Sequence, residues 1–162
     1  MERAEVDVIA RVALLFLNGD DFERLLIDQR QHTDYRFDEF NRLKEVLLKA
    51  ERFCEGADVA AILWRQFPGN PYVAEPLVAG SALPNTGWRR VRSGPEMRLA
   101  FHGERTAREW PGAGCSFYYP LKNSDEEIVG VLELLVDRGW RKDVDTTEMF
   151  VEPLEPEDDG EE

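Results

Sequence analysis

Apolar and polar residues alternate most regularly between positions 118 and 137, where the pattern predicts two β-strands joined by a polar turn at residues 123–127. The second strand, residues 128–136, is apolar on both faces, and Glu133 is its only charged residue. A strand of this kind lies inside a sheet that other elements cover on both sides. We therefore expect a central antiparallel hairpin with further structure packed above and below it.

The N-terminal part of the chain has helical periodicity instead. Apolar residues recur at helical spacing over residues 3–17 and again over residues 39–55. An Asn-Gly pair is a suitable end for the first helix, and Asp20 or Asp21 can cap a short second helix. This part of the sequence therefore predicts three helices ahead of the sheet.

Beyond residue 56 the apolar period changes to that of strands, interrupted by one further helix over residues 95–102. Pro76 falls within one strand and favours a sheet edge or a β-bulge there. The resulting fold class is α+β, with N-terminal helices followed by an antiparallel sheet. The predicted strands are residues 57–66, 72–79, 105–109 and 115–121, with a shorter candidate at residues 88–91.

Length and composition limit the classes of protein that this chain can belong to. It has 162 residues, of which 43% are hydrophobic, enough for one domain with its own core. Its net charge is −13, so nonspecific nucleic-acid binding is not expected. No apolar run approaches the roughly 20 residues of a membrane span, no signal-peptide pattern opens the chain, and two cysteines make no disulfide framework. We therefore expect a cytoplasmic protein without membrane association.

Three segments, taken in order over about residues 37–137, resemble the GAF domain family. The N-terminal segment is similar to the family's helix leading into its first strand. The middle segment is similar to the helix, glycine and strand beside the family's pocket. The C-terminal segment is similar to its Pro-Leu strand end, polar turn and Gly-Val-Leu strand. In chain order, the segments are FDEFNRLKEVLLKAERFCEGADVAAILWR, GPEMRLAFHGERTAR and CSFYYPLKNSDEEIVGVLELL.

The resemblance implies a signalling module with a central antiparallel sheet of about five or six strands. N-terminal helices would cover one face and often form a dimeric bundle, and a short helix with loops would cover a small-molecule pocket on the other face. The resemblance divides the chain into three parts. These are an N-terminal helical segment for dimerisation and signalling, residues 1–36, a GAF-like domain, residues 37–142, and an acidic, mostly disordered tail, residues 143–162.

The chain departs from the family in three ways. It lacks the Asn-Lys-Phe-Asp-Glu set of the members that bind cyclic nucleotides, and neither cysteine has the context of a bilin attachment site. Residues 139–162 carry prolines and acids in place of the usual C-terminal amphipathic helix. Cyclic AMP, cyclic GMP and bilins are therefore not expected as ligands, and no cofactor is expected.

The pocket wall that the resemblance implies falls on residues 88–108, which are rich in arginine. Arginine side chains bind carboxylate and phosphate groups, so this segment is a candidate binding site for a small ligand or an acidic protein partner. The alternative is that it is a solvated basic surface that binds nothing. The aromatic side chains there either line an open pocket or fill it. The candidate ligand-binding residues are Trp88, Arg92, Arg98, Phe101, His102, Trp110, Phe117 and Tyr119.

The first helix offers more apolar surface than one short helix can readily hide in a small domain. The resemblance also favours association through this helix, and we expect a homodimer through residues 3–17. The alternative is that this helix packs on the sheet face left bare by the missing C-terminal helix. The candidate interface residues are Val6, Ile9, Val12, Ala13, Phe16 and Leu17.

The sequence shows no catalytic arrangement. It contains no Ser-His-Asp order, no paired carboxylates in an evident cleft and no phosphate loop, so an enzyme is not expected. Two histidines and two widely spaced cysteines make no metal-ligand cluster. Cys54 is expected to be buried and inert, and reactivity at Cys115 would require nearby arginines to lower its pKa. Glu133 is expected to pair with Arg65 or with an arginine of the N-terminal helix.

The C-terminal tail mixes charge with apolar residues. Residues 143–162 contain ten acidic residues and no basic ones. The apolar residues among them are Val144, Met149, Phe150, Val151 and Leu154. Such a mixture is typical of segments that fold on binding, although most acidic tails are solvated. We expect residues 149–154 to dock on the arginine-rich stretch 89–108 or on a partner protein, with residues 155–162 mobile.

Two functions follow from these observations. One is a GAF-like regulatory module that binds a small ligand and signals through its N-terminal helices. The other is a ligand-free protein-interaction domain whose pocket is filled by its own aromatic side chains. A cavity beneath residues 88–110 would favour the ligand-binding module, and dense packing there would favour the interaction domain.

Overall fold

The computed structural model describes residues 3–28, 37–54, 58–81, 90–112 and 114–137. Within these ranges the chain forms four helices and one six-stranded antiparallel sheet, which confirms the predicted α+β class. The helices are α1 (Arg3–Phe16), α2 (Gly19–Asp28), α3 (Phe37–Phe53) and α4 (Pro95–Phe101). The strands are β1 (Asp58–Gln66), β2 (Val73–Ala79), β3 (Val91–Arg92), β4 (Thr106–Trp110), β5 (Gly114–Lys122) and β6 (Ile128–Asp137).

Strand β6 lies at the centre of the sheet, whose strand order is β3-β2-β1-β6-β5-β4. Its side chains alternate between two cores. Leu132 and Leu134 are buried with the three N-terminal helices, and Val131 and Leu135 are buried with α4. The apolar character of both faces of β6 is therefore explained, because helices cover the sheet on both sides.

Helices α1, α2 and α3 share one core with the sheet. Val6, Ala10 and Ala13 of α1 are buried in it, as is Phe22 of α2. Gly130 of β6 makes room for the Phe22 ring, since a Cβ at that position would lie 2.6 Å from a ring carbon. The residues ahead of α3 thus pack into the same hydrophobic core as the central strands.

The α1–α2 corner is fixed by Asn18. Its Oδ1 accepts hydrogen bonds from the backbone N–H groups of Asp20, at 2.9 Å, and Asp21, at 3.2 Å. Asn18 therefore caps α2, which corrects the expectation that Asp20 or Asp21 does so. The Asp21 carboxylate is buried and accepts two hydrogen bonds of 3.0 Å from Arg42 of α3 and one of 2.7 Å from Arg24.

Pro76 lies at a β-bulge, as predicted. In the pairing of β1 with β2, Leu63 is opposite Val78, whereas the next residue, Trp64, is opposite Pro76. One residue of β2 is therefore extra at this point, and Pro76 occupies the irregular part of the ladder where a missing N–H costs least.

Several sequence predictions fall outside the described residues. These are the acidic tail at residues 143–162, with the segment 138–142 ahead of it, and Trp88 of the candidate ligand site. Of the helices in the described ranges, none combines the length and the apolar character that crossing a membrane requires.

Candidate functional site

The sheet separates the predicted ligand-binding residues into two groups. Phe117 and Tyr119 lie on the face covered by the N-terminal helices, where the Tyr119 hydroxyl donates a 2.6 Å hydrogen bond to Asp7 of α1. Neighbouring residues of a strand point to opposite faces, so Ser116 and Tyr118 are the β5 residues that face α4. This corrects the expectation that Phe117 and Tyr119 line a pocket together with the other candidates.

Four of the other candidates lie on the α4 side. Phe101 and Trp110 are half-buried against the second core, and His102 is exposed at the end of α4. Arg98 donates a hydrogen bond of 2.5 Å to the backbone oxygen of Ser93, so its guanidinium supports the turn ahead of α4. The residues that the structure brings to this side are Arg98, Phe101, His102 and Trp110. Arg92 follows Val91, which is buried in the second core, so the alternation of β3 turns Arg92 to the other face of the sheet and corrects its placement in the candidate pocket.

The sheet face beneath α4 is filled by the protein's own side chains. Trp64 of β1 and Tyr118 of β5 are buried there, and Met97 and Ala100 of α4 pack against them. The described part of this face therefore buries two aromatic side chains against α4.

A chain of hydrogen bonds crosses this packed face and ends at Glu133. The Trp64 Nε1–H donates to Oε1 of Glu133 at 2.8 Å, and the Ser116 hydroxyl donates to Oε2 at 2.5 Å. The Trp110 Nε1–H donates in turn to the Ser116 oxygen at 2.8 Å. The predicted ion pair between Glu133 and an arginine is wrong, because neutral donors bind the carboxyl group and Arg65 pairs with Glu75 instead.

Glu133 is only 2% exposed, and this burial raises its carboxyl pKa, while the hydrogen bonds from Ser116 and Trp64 oppose the rise. The neighbouring Tyr118 hydroxyl also has a raised pKa, first because it is buried and second because it lies near the Glu133 charge. Burial can therefore hold a proton at Glu133 over a pH range in which an exposed glutamate loses it.

Neither cysteine has the properties of a reactive thiol. Cys54 is buried, and burial raises its pKa to about 11. The pKa of Cys115 is raised mainly by burial and also by Glu109, whereas Arg3 lowers it only in part. Because the thiolate is the reactive form, both side chains act as apolar groups of the fold at neutral pH. Among the described residues, no three histidine, cysteine or acidic side chains come together as metal ligands.

Helix α1 has another apolar face, directed away from the sheet. The exposed fractions are 59% for Val8, 43% for Val12, 81% for Leu15 and 70% for Phe16. Positions 8, 12 and 15 have the four-then-three spacing of a helix that packs against another helix. We call these four residues the outer face of α1.

Four of the six residues predicted for the dimer interface lie on the inner side of the first helix or directly after it. Val6, Ala13 and Leu17 are at most 5% exposed and belong to the chain's own core, and Ile9 is half-buried against it. These residues therefore do not form a surface for a partner, which corrects the prediction. Val12 and Phe16 remain accessible, and they belong to the outer face.

A groove of about 310 Å³ adjoins the outer face between the end of α1 and α3. Its apolar lining residues are Phe16, Leu43 and Val46, and its charged lining residues are Asp21, Arg42, Glu45 and Lys49. Phe16 belongs to both the outer face and the groove, so the two surfaces adjoin.

Sequence reasoning did not include Val8 and Leu15 in the interface. The signal that identifies them is the presence of two interleaved apolar patterns in α1. Positions 6, 10, 13 and 17 form one pattern and positions 8, 12 and 15 form the other, each with spacings of three and four residues. A helix that packs on one face of a sheet buries one pattern against the sheet, which leaves the other pattern exposed.

Comparison of the chain with known protein families, with curated proteins and with solved structures found no match.

Proposed function

We propose that the protein is a regulatory interaction module, in which two copies associate through the outer face of α1. The observation that carries this proposal is the division of α1 into two apolar sides. Val8, Val12, Leu15 and Phe16 are exposed, while the opposite side of the same helix fills the core. A contiguous apolar surface of this kind marks an interaction site.

The spacing of the outer face favours a second copy of the chain as the partner. Pairing of two α1 helices about a twofold axis buries the same residues on both copies, so each apolar side chain contributes twice. Fully burying a valine, leucine or phenylalanine stabilises a complex by about 1.5–3 kcal/mol relative to exposure. The resemblance to GAF domains supports the same arrangement, since terminal helices often form their dimeric bundles.

The contacts of α1 with the sheet supply the regulatory part of the proposal. Asp7 of α1 accepts a hydrogen bond from Tyr119 of β5, and the inner residues of α1 pack on the central strands. A shift of α1 on association is therefore transmitted to the sheet. We place the module in the cytoplasm, which the two free cysteines support.

The first prediction tests this association by light scattering on full-length protein. Wild type is expected to be dimeric at tens of micromolar, on the order of common affinities. Val12→Glu and Leu15→Glu should each weaken the dimer by about 30-fold or more, because a charge at the centre of an apolar interface is left without a partner. Leu99→Glu on α4 is the matched control, since Leu99 is 44% exposed and Val12 is 43% exposed.

The melting temperatures of these variants separate assembly from folding. Val12 and Leu15 are accessible in the single chain, so each variant should remain folded while its mass falls to that of one chain. A wild type that is monomeric at this concentration would exclude the proposal. The proposal would also be excluded if the Leu99→Glu dimer dissociated as readily as the dimers of the α1 variants.

Small-molecule sensing on the α4 side is the other candidate function. The observation in its favour is Glu96, whose buried Oε1 has no hydrogen-bond partner among the described residues and lies 4.0 Å from the Arg108 guanidinium. A ligand with a donor group would satisfy this oxygen. The second prediction is therefore that at least one compound in a screen of metabolites and nucleotides raises the melting temperature of wild type. A ligand that binds only the native state stabilises the fold. The same compound should leave the melting temperature of Glu96→Ala unchanged. If no compound changes the melting temperature of wild type, the sensing function is rejected.

A further inference from the structure

The turn between β1 and β2 brings two arginines to one aromatic ring. The Arg90 guanidinium lies 3.9 Å from the centre of the Phe67 ring, and the Arg65 guanidinium lies 5.8 Å from it. Two backbone hydrogen bonds hold Phe67 in this turn: its N–H donates to the Val73 oxygen at 2.9 Å, and its oxygen accepts from the Asn70 N–H at 3.1 Å. The attraction between a cation and the face of an aromatic ring therefore orients both guanidinium groups.

One buried carboxylate binds the same two arginines. Glu75 of β2 is 9% exposed; its Oε1 accepts a hydrogen bond from Nε of Arg65, and its Oε2 accepts one of 3.4 Å from Nε of Arg90. Glu75 lies directly opposite Arg65 in the pairing of β1 with β2, so the strand register determines this contact. We call Arg65, Phe67, Glu75 and Arg90 the arginine cluster. Because two cations share one carboxylate, the cluster has one excess positive charge.

The terminal nitrogens of Arg90 are accessible. The exposed fraction of the side chain is 54% for Arg90 and 15% for Arg65. The contact of Arg90 with Glu75 uses Nε, and in the part of the chain that the structure describes its Nη1 and Nη2 have no hydrogen-bond or ion-pair partner. A guanidinium donates two parallel hydrogen bonds to a carboxylate, so Arg90 can bind a carboxylate from outside the chain without giving up Glu75.

The part of the sequence around the arginine cluster is positive in a negative protein. Residues 59–103 contain five arginines, two glutamates and neither aspartate nor lysine, a net charge of +3, whereas the whole chain carries −13. Arg92 lies on the same face of the sheet as Glu75, because it pairs with Val73, two positions earlier in β2. The Debye length at physiological ionic strength is about 8 Å, so acidic groups farther away than this repel a ligand at the cluster only weakly.

We propose that the arginine cluster is a docking site for an acidic segment of a partner protein, with a partner carboxylate bound to Nη1 and Nη2 of Arg90. The neighbouring turn is exposed at Pro68, Gly69 and Pro71, so the cluster is reached over an open surface. Open surfaces suit protein partners, whereas small ligands bind in concave sites. The net charge of −13 disfavours nucleic acid, because its long run of phosphates extends beyond the local positive region.

The arginine cluster is organised before a partner binds. Phe67 and Glu75 already hold the Arg90 side chain, so it loses less conformational freedom on binding than an unrestrained arginine. Arginine and aromatic side chains contribute strongly to the binding energy of protein interfaces. The cluster lies at β1 and β2, whereas α1 packs on β5 and β6, so this site and the outer face of α1 can be tested independently.

Titration of the full-length protein with a hexaglutamate peptide at low ionic strength tests this site. Wild type is expected to bind with a Kd on the order of 100 μM. Arg90→Gln should weaken binding by about tenfold, because it removes the two terminal donors. Arg24→Gln on α2 is the matched control, since Arg24 is 48% exposed, pairs with a buried carboxylate and has the same charge. It should change the affinity by less than about twofold, because its charge is screened from the cluster.

Phe67→Leu separates an organised site from simple charge attraction. It leaves every charge in place but removes the ring beside the Arg90 guanidinium, so the affinity should fall by about threefold or more, while the melting temperature shows that the variant is folded. Absence of binding by wild type would overturn the proposal, and so would equal weakening by Arg24→Gln and Arg90→Gln. Tighter binding of a single-stranded oligonucleotide of the same charge would assign the site to nucleic acid, and equally tight binding of inorganic phosphate would assign it to a small anion; either result overturns the protein partner.

Discussion

Replacing Gly19 by alanine is expected to lower the free energy of unfolding by about 3 kcal/mol or more, because the new Cβ meets backbone atoms that cannot move aside. The Cβ would lie 2.0 Å from the Lys122 oxygen, 2.5 Å from the Lys122 carbonyl carbon and 2.8 Å from the Asn123 nitrogen. Relief of this overlap requires α2 to move away from the β5–β6 hairpin. In a domain of this size, the loss corresponds to a fall in melting temperature of about 6–12 °C.

Movement at Gly19 would also disrupt the polar contacts that join the corner to the hairpin turn. The Asp20 carboxylate accepts hydrogen bonds of 3.1 Å from both the backbone N–H and the hydroxyl of Ser124. The Asn123 side chain donates a 3.2 Å hydrogen bond to Glu23. These contacts are lost when α2 shifts, so the effect of Gly19→Ala is expected to exceed the usual cost of one added methyl group.

Gly69→Ala is the control for the Gly19 substitution. Gly69 has a φ of +84°, but nothing lies within 4 Å of the position that its Cβ would occupy. Alanine there introduces backbone strain of about 1–2 kcal/mol without steric overlap. Comparing the melting temperatures of the two variants therefore separates the effect of steric overlap at residue 19 from the effect of backbone strain at residue 69. If Gly19→Ala melts within about 2 °C of wild type, the close approach of the α1–α2 corner to the hairpin is wrong.

Local patterns in the sequence predict most of the fold. The period of apolar positions places every helix and strand of the described ranges within a few residues, because each element buries one side or both. Gly103 ends the α4 region with a φ of +107°. The β-bulge at Pro76 is consistent with the missing N–H of that residue. These features depend on residues close together in the chain, so the sequence contains the information directly.

Side-chain partners are less predictable, because they depend on how distant elements align. Phe117 and Trp110 are both aromatic residues near an expected pocket, but the alternation of β5 turns Phe117 toward α1. Glu133 requires a donor, yet the sequence does not indicate that Trp64 and Ser116 lie diagonally across from it on the two neighbouring strands. Register between strands fixes these pairs, and a single sequence determines register only weakly.

The orientation of α1 at the candidate interface is also difficult to predict from the sequence. The sequence shows that α1 is apolar on most of its circumference, which predicts burial of the whole helix. It does not show which of the two interleaved apolar patterns faces the sheet. That choice depends on small residues: Ala10 and Ala13 let α1 approach the sheet closely, so the side with bulky Leu15 and Phe16 faces outward.

Replacing Glu133 by leucine is expected to lower the free energy of unfolding by about 2–6 kcal/mol at mildly acidic pH, since each buried donor left without a partner costs about 1–3 kcal/mol. Leucine has a similar size but accepts no hydrogen bond, so the Trp64 N–H and the Ser116 O–H lose their acceptor. Glu133→Gln is the matched variant, because its side-chain oxygen still accepts a hydrogen bond while the ionisable proton is removed.

The difference in stability between wild type and Glu133→Gln should depend on pH. Burial raises the carboxyl pKa above its ordinary value of 4.5, so the folded protein holds the proton more tightly than the unfolded chain. The contribution of protonated Glu133 is therefore complete below about pH 4.5 and is lost as pH rises through the raised pKa. Glutamine has no such proton, so Glu133→Gln should gain stability relative to wild type as pH increases. Urea unfolding of both proteins between about pH 5 and pH 8 measures this difference; if the difference is constant across that range, the carboxyl is not held protonated by burial.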